Sequence, residues 1–315
     1  MIKYHIEDEN NRIVTVDSFP DNDKCWIQMI DPTDDELREI TMRFDLPMEA
    51  CRAALDLDER SRIDIDDNYR MLLVNIPTRE ETSDRELYTT IPLSMILAGN
   101  AIITICPKDT HILRGFSNGS ERGFHPSMRS RCVFQILYAT ARRYLIYLRL
   151  IEKKIDGVEL EFSRMQKNRE LLELMKLQKS LVYFTTGLRS NEAVLEKLVR
   201  TDVVKKYDED ADLLEDVIVE NKQAIEMAKI HTEILSNLSN TFAAVISNNL
   251  NVAMKVLAII TIVMAIPTII FSAYGMNVIN IPLDENPYGF LIVIAISVIA
   301  SLLTIIIFSK IKLFK

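Results

Sequence analysis

At alternating steps of three and four residues, one side of the segment 240–272 reads Asn240, Ala244, Ser247, Asn251, Met254, Ala258, Thr261, Ala265, Thr268 and Ser272. Every member except Met254 is small or polar, and none is charged. The other side reads Val252, Val256, Ile259, Val263, Ile266 and Ile270, all β-branched and apolar. Helical periodicity puts each set on its own face. Small and hydroxyl residues serve close helix–helix packing in membranes. They also serve the wall of a water-filled path, and the length of this stripe favours the path. It ends at Tyr274-Gly275-Met276-Asn277, after which a loop carries Pro282, Asp284 and Glu285.

The elements that hold this stripe are written in the placing of charge. The 315 residues are 48% hydrophobic and 26% charged, averages that suit a soluble globular chain. Yet no Asp, Glu, Lys, Arg or His occurs from Val256 to Leu283 or from Asn286 to Ser309. Two uncharged stretches of that length predict two membrane spans and rule out a purely soluble protein. From Asp208 to Tyr274 the only proline is Pro267 and there is no glycine. A continuous helix there would extend about 100 Å, from a polar amphipathic part into the first span. Tyr288–Phe308 would return across the bilayer. Lys255 precedes the first span and Lys310, Lys312 and Lys315 follow the second, so both termini are expected in the cytosol. Tyr274 and Tyr288 would lie at the outer interface. One two-span chain cannot enclose a channel, so a pore requires a ring of copies. The spans hold no carboxylate, which argues against proton-coupled exchange.

The other 250 residues carry a net charge of −10, a balance that repels nucleic acid and attracts cations. Within the first 125, strands are expected at Arg12–Val16, Lys24–Met29, Tyr69–Ile76, Thr90–Ala98 and Ala101–Cys106. Asp31-Pro32-Thr33-Asp34-Asp35-Glu36 reads as a helix start, and Pro47 opens a second helix over Met48–Leu55. Gly115–Pro126 reads as a linker or hairpin. Ser127–Met165 and Asn168–Val199 hold apolar residues at helical spacing without a proline, which predicts an antiparallel helical pair.

Enzyme chemistry finds little here. His5, His111, His125 and His231 are isolated, and His231 is expected to face a neighbour or solvent. Cys25, Cys51, Cys106 and Cys132 are scattered, as reduced structural thiols are. No GxxxxGK or GxGxxG pattern occurs, so nucleotide hydrolysis is not the expected energy source and no organic cofactor is expected. The first ten residues lack an apolar export signal, so the large domain is expected in the cytosol.

A YGMN at the outer end of the penultimate membrane helix resembles the CorA family of magnesium and cobalt transporters. The resemblance covers the two spans and their loop closely, and the long helix by architecture. It implies an α+β fold and a funnel-shaped homopentamer in the cell membrane. The parts would be a cytosolic α/β domain (1–126), a helical hairpin (127–200), a stalk helix (201–251), a pore-lining span (252–274), an outer loop (275–287), an outer span (288–309) and a basic tail (310–315). It also implies that Gly275, Met276 and Asn277 form an entrance filter for a hydrated divalent cation. Asn251, Met254, Leu257, Thr261, Ala265 and Thr268 would line the conduit, largely the stripe read above. Mg²⁺ dehydrates reluctantly, and five Asn277 amide oxygens could accept hydrogen bonds from its waters without stripping them. Gly275 would permit the turn that ends the helix. Asp284 and Glu285, repeated fivefold, would concentrate cations at the mouth. Leu257 and Met254 would form a hydrophobic constriction, and the Asn240 level would lack a carboxylate ring.

Asp202, Asp208, Glu209, Asp210, Asp212, Glu215, Asp216 and Glu220 crowd the start of the long helix, an ordinary solvated face in most proteins. The resemblance implies more, namely regulatory Mg²⁺ held between neighbouring chains by Asp216 and a partner from Thr78–Leu87, with Glu80, Glu81 and Asp84 as candidates. Ion-free carboxylates would repel and ion-bridged ones would hold the channel shut. Two charges falling through about 100 mV gain about 4.6 kcal/mol, which drives accumulation without ATP. The alternatives are a carrier of zinc or another divalent ion, inward or outward, or a membrane-anchored scaffold or sensor that conducts nothing.

Overall fold

The computed structural model describes residues 1–8, 12–20, 24–82, 85–121, 123–164, 168–201, 204, 208–277, 281–283 and 286–310. The side chains of 81, 82, 85, 86, 161–164, 168–170, 208 and 209 are outside that description. The chain divides into two compact units, Met1–Asn237 and Leu238–Lys315.

The first unit is built on a seven-stranded sheet of order β2-β1-β3-β7-β6-β5-β4. Its strands are β1 (Ile2–Glu7), β2 (Ile13–Val16), β3 (Trp26–Ile30), β4 (Arg62–Ile65), β5 (Tyr69–Thr82), β6 (Arg85–Ala98) and β7 (Ala101–Cys106). β3 and β7 pair in parallel, and every other pairing is antiparallel. Strands covered on both faces need apolar residues at consecutive positions. β7 accordingly reads AIITIC and is buried throughout. Period-two alternation then sorts the side chains between two cores. Ile27, Met29, Met71, Leu73, Ile96 and Ile103 meet α1 (Asp34–Phe44) and α2 (Met48–Ala53). Trp26, Leu72, Val74, Leu93, Met95 and Ile102 form the second core with α3 (His111–Ser117), α4 (Arg129–Arg164), α5 (Asn168–Arg200) and the first turns of α6 (Asp208–Tyr274).

The expected helix start at 31–36 is a capping box. Glu36 N–H donates to the Thr33 hydroxyl at 3.3 Å and Thr33 N–H to the Glu36 carboxylate at 2.8 Å. Three findings depart from the sequence expectation. Strands β1 and β4 have no counterpart in it, because Lys3, His5 and Asp64 break the apolar runs. His5 is nonetheless buried, satisfied by the Gln28 amide at 3.1 Å and the Thr15 hydroxyl at 3.0 Å. Gly115 is helical, since α3 runs to Ser117 with Thr110 as its cap.

Within the first unit, Asp210, Leu214, Val217, Asn221, Ala224, Ala228, His231 and Leu235 form the buried seam of α6. Their steps of three and four are those of a helix packed along its neighbours. Asp210 pairs with Arg131 of α4 at 3.2 Å, and the Asn221 amide donates to Leu188 O of α5 at 3.4 Å. His231 therefore faces a neighbouring part of its own chain, within reach of Glu152 and Asp156 of α4, and not solvent.

The second unit holds the rest of α6 and α7 (Gly289–Lys310). Both are long and apolar enough to cross a membrane. Pro267 lies inside α6, where it leaves the Val263 carbonyl without its helical donor.

Candidate functional site

Shielding of the two apolar helices is one-sided. On α6 the half-buried positions include Ile259, Val263, Ile266 and Ile270, members of the β-branched stripe. On α7 the buried positions are Gly289, Val293 and Ser297, four residues apart on one face. Small residues there let a neighbouring helix approach closely. The polar stripe takes little part in this packing. Asn251, Met254, Leu257, Thr261 and Thr268 are exposed, and only Ala265 is partly covered. From Ile259 to Ile270 the β-branched face is thus partly covered by its own chain, whereas Val252, Val256 and nearly all of the polar face are exposed.

Two hydroxyls on that face have a definite polarity. Thr261 donates to Leu257 O and Thr268 to Met264 O, each at 2.9 Å. A hydroxyl has one hydrogen to give and two lone pairs to offer. With the hydrogen used inside the helix, each oxygen presents acceptor character outward. Acceptors are what the waters around a cation require. Met254 and Leu257, both 57% exposed, interrupt this polar row near its inner end with apolar surface.

At the outer end, α6 stops at Tyr274 with a tightened turn. Gly275 N–H donates to Phe271 O at 2.9 Å and to Ser272 O at 3.2 Å. Gly275 does not take a left-handed φ, so its backbone freedom is not what ends the helix. A Cβ there would meet only the Phe271 and Ser272 carbonyls of the helix's own last turn, at 3.3 and 3.6 Å. Met276 and Asn277 follow as exposed residues. Leu283 has a left-handed φ of 74°, and Gly289 lies so close to Leu283 O that a side chain there would collide with it. Asn286 forms a turn just before α7, its side-chain oxygen accepting from Tyr288 N–H at 2.9 Å. Asp284 and Glu285 lie outside the described residues.

The acidic candidates are not gathered within one chain. Asp216 is exposed on α6, away from the buried seam. Glu81 sits in the β5–β6 hairpin with its Cα opposite Glu86, and its side chain is outside the description, as is all of Asp84. Glu80 is engaged by Lys108 at 2.7 Å. Among the described residues no three His, Cys, Asp or Glu side chains stand close enough to hold a metal ion. A site using Asp216 therefore needs ligands from elsewhere. Asp210, from the same acidic run, is not a surface residue at all but the buried partner of Arg131.

His231 was readable in principle. It falls in register with Leu214, Val217, Ala224, Ala228 and Leu235, a seam visible in sequence. Both its ring nitrogens are buried without a hydrogen-bond partner. Burial pushes its pKa below the ordinary value, against the opposing pull of Glu152 and Asp156 on α4. The four cysteines are buried thiols, and burial pushes Cys51 up to about 11 and Cys106 up to about 12. None is suited to thiolate chemistry.

Comparison with known proteins sets this geometry in context. Residues 21–310 match the model of the CorA-like Mg²⁺ transporter protein family. The cobalt/magnesium transport protein CorA of Methanocaldococcus jannaschii is 26% identical over 302 residues, which cover 93% of this chain and 92% of that one. The magnesium transport protein CorA of Helicobacter pylori is 22% identical over 306 residues, covering 92% and 91%. The complete structure of the M. jannaschii CorA magnesium transporter superposes with a TM-score of 0.81 over 98% of both chains, at 24% identity. The expected α/β domain, long helix and C-terminal apolar helix are all in this fold. A family model that runs through both the α/β unit and the two apolar helices leaves one assignment: this chain belongs to the CorA-like Mg²⁺ transporter family.

Proposed function

We propose that the chain is one subunit of a homopentameric channel that carries Mg²⁺, and Co²⁺ with it, across the cell membrane. The observation that carries this reading is the free polar face of α6, which runs without a charge to Gly275-Met276-Asn277. Five such faces would enclose a path lined by Asn251, Thr261, Ala265 and Thr268, with Met254 and Leu257 as its apolar constriction. Gly275, Met276 and Asn277 would surround the entrance, where Asn277 amide oxygens accept hydrogen bonds from the waters of a cation that keeps its shell. Asp284 and Glu285 would raise the local cation concentration. Both termini would be cytosolic, with the basic tail at 310–315 on the inner side. The parts are those expected from sequence, from the α/β domain at 1–126 to the outer span at 288–309.

Regulation would act between chains. Asp216, with Glu81 or Asp84 of a neighbour, would bind cytosolic Mg²⁺ and hold the closed arrangement. Membrane potential would supply the driving force, about 2.3 kcal/mol per charge per 100 mV. The test is ion flux into liposomes holding the purified protein, with Mg²⁺, Co²⁺, Ni²⁺ and Zn²⁺ offered in turn. Saturable Mg²⁺ and Co²⁺ entry that rises with an inside-negative potential is the expected result. Flux of Zn²⁺ alone would assign another cargo, and no flux of any ion would leave a scaffold or sensor.

A further inference from the structure

Beside the start of α6, the first unit holds a cavity of about 310 Å³ that no part of the transport reading uses. Its main wall is one face of α4, carrying Arg131, Gln135, Tyr138, Arg142, Arg143 and Ile146 at helical spacing. His111 and Phe116 of α3 and Leu213 of α6 close the other sides. Three arginines and a histidine thus converge in a chain whose first 250 residues carry a net charge of −10. Arg131 is matched by buried Asp210. Arg142 and Arg143 have no carboxylate partner among the described residues. They lie 5.7 and 5.8 Å from the ring centres of Tyr138 and Tyr147. Glu121 is the single acid in the lining.

A guanidinium kept from carboxylates and steadied against an aromatic ring is a prepared anion ligand. Its planar fork matches the oxygens of a phosphate. We infer that this cavity binds a small phosphate-bearing anion, held by Arg142 and Arg143 with Arg131 and His111 at its sides. The volume is at the lower end of small-molecule sites, enough for a polyphosphate or the phosphate end of a nucleotide. The half-buried Tyr138 offers a flat face to an organic part. Because Arg131 also holds Asp210, the occupant would sit at the anchorage of the helix that continues into the first span.

The test is calorimetric titration of the full-length protein in detergent with inorganic triphosphate and, separately, with a nucleoside triphosphate. Metal-free buffer of fixed ionic strength keeps chelation from imitating binding. Saturable binding is expected, weakened at least about tenfold in an Arg142→Gln, Arg143→Gln double variant. Arg149→Gln, an exposed arginine on the same helix outside the cavity, should bind as the natural protein does. Arg131 is left intact because its removal would strand buried Asp210. Tighter binding of the nucleoside form would mean that the organic part is read, and equal binding that phosphate alone is. Absence of saturable binding, or equal weakening by Arg149→Gln, would overturn the site. A double variant that disperses the assembly yet binds triphosphate unchanged would give this face to a second copy and overturn it too.

Discussion

At the scale of single residues, two side chains carry opposite lessons. Asn277 is small, neutral and exposed at the end of a polar helix face, where its amide oxygen is useful only to something outside the chain. Asn277→Ala removes that acceptor and touches no packing. Uptake of Mg²⁺ into liposomes should be abolished or strongly reduced while the assembly stays intact, and normal uptake would move the filter elsewhere. His231 is buried with neither nitrogen partnered, so its charged form is disfavoured in the folded chain. The unfolded chain gains a proton near pH 6.5 that the folded chain resists. Stability contributed by neutral His231 is therefore complete above about pH 6.5 and is lost as pH falls below it. His5, whose pKa burial also lowers, adds a term of the same sign. His231→Leu should raise the unfolding temperature, removing roughly 1–3 kcal/mol of unsatisfied burial. It should also flatten, without erasing, the fall in melting temperature from about pH 7.5 to 5.5. A variant as acid-sensitive as the natural protein would mean that the imidazole does find a partner.

At the scale of elements, the approach of α5 to the sheet turns on Gly187. A Cβ there would stand 2.7 Å from the Tyr144 hydroxyl, 3.0 Å from Thr90 Cγ2 and 3.2 Å from Asn75 Cβ. Those atoms belong to α4, β6 and β5, so one methyl would press on three elements. They cannot simply give way. The Tyr144 hydroxyl donates to Asn75 O at 3.0 Å, the Asn191 amide donates to the same oxygen at 2.7 Å, and Asn75 N–H donates back to Asn191 at 2.8 Å. Gly187→Ala should cost about 1–3 kcal/mol, measurable in denaturant unfolding of the full-length protein. An unchanged midpoint would show that α5 can lift without loss. The helical pair that α5 forms with α4 was foreseen from periodicity, but the close seat on the sheet was not. Periodicity reports which face of a helix is apolar and says nothing of how near its partner comes.

At the scale of the whole molecule, the proposed ring of copies would put the free polar face of α6 to use. The full-length protein in mild detergent should be a pentamer by native mass measurement, and a monodisperse dimer would sink the channel reading. The acidic surface belongs to the same scale, since no described set of side chains in one chain can hold a metal. Under the regulation proposed above, Asp216→Ala removes one ligand of an ion held between chains. Protection of the α/β unit from protease by Mg²⁺ should then need more of the ion, while ion selectivity stays unchanged. Identical Mg²⁺ midpoints for both proteins would leave Asp216 a solvated surface carboxylate.

The sequence by itself determined the two apolar helices and the long one, because absence of charge and helical periodicity are local properties of a chain. α6 spans Asp208–Tyr274, as the absence of helix breakers foretold, and α7 begins one residue after the expected Tyr288. The polar stripe and the Gly275-Met276-Asn277 string were likewise visible, as were the main strands. Only the tertiary structure decided which side of α6 its own chain covers, because that depends on a helix joined through a loop. It alone paired β3 with β7 in parallel across some seventy residues and placed β1 and β4, whose polar residues disguise them. It buried Asp210 against Arg131, though that residue reads as part of a solvated acidic run, and it left the His231 ring nitrogens unpartnered. It also showed that Gly275 does not use a left-handed φ. Burial and proximity belong to pairs of distant residues, and no local pattern records them.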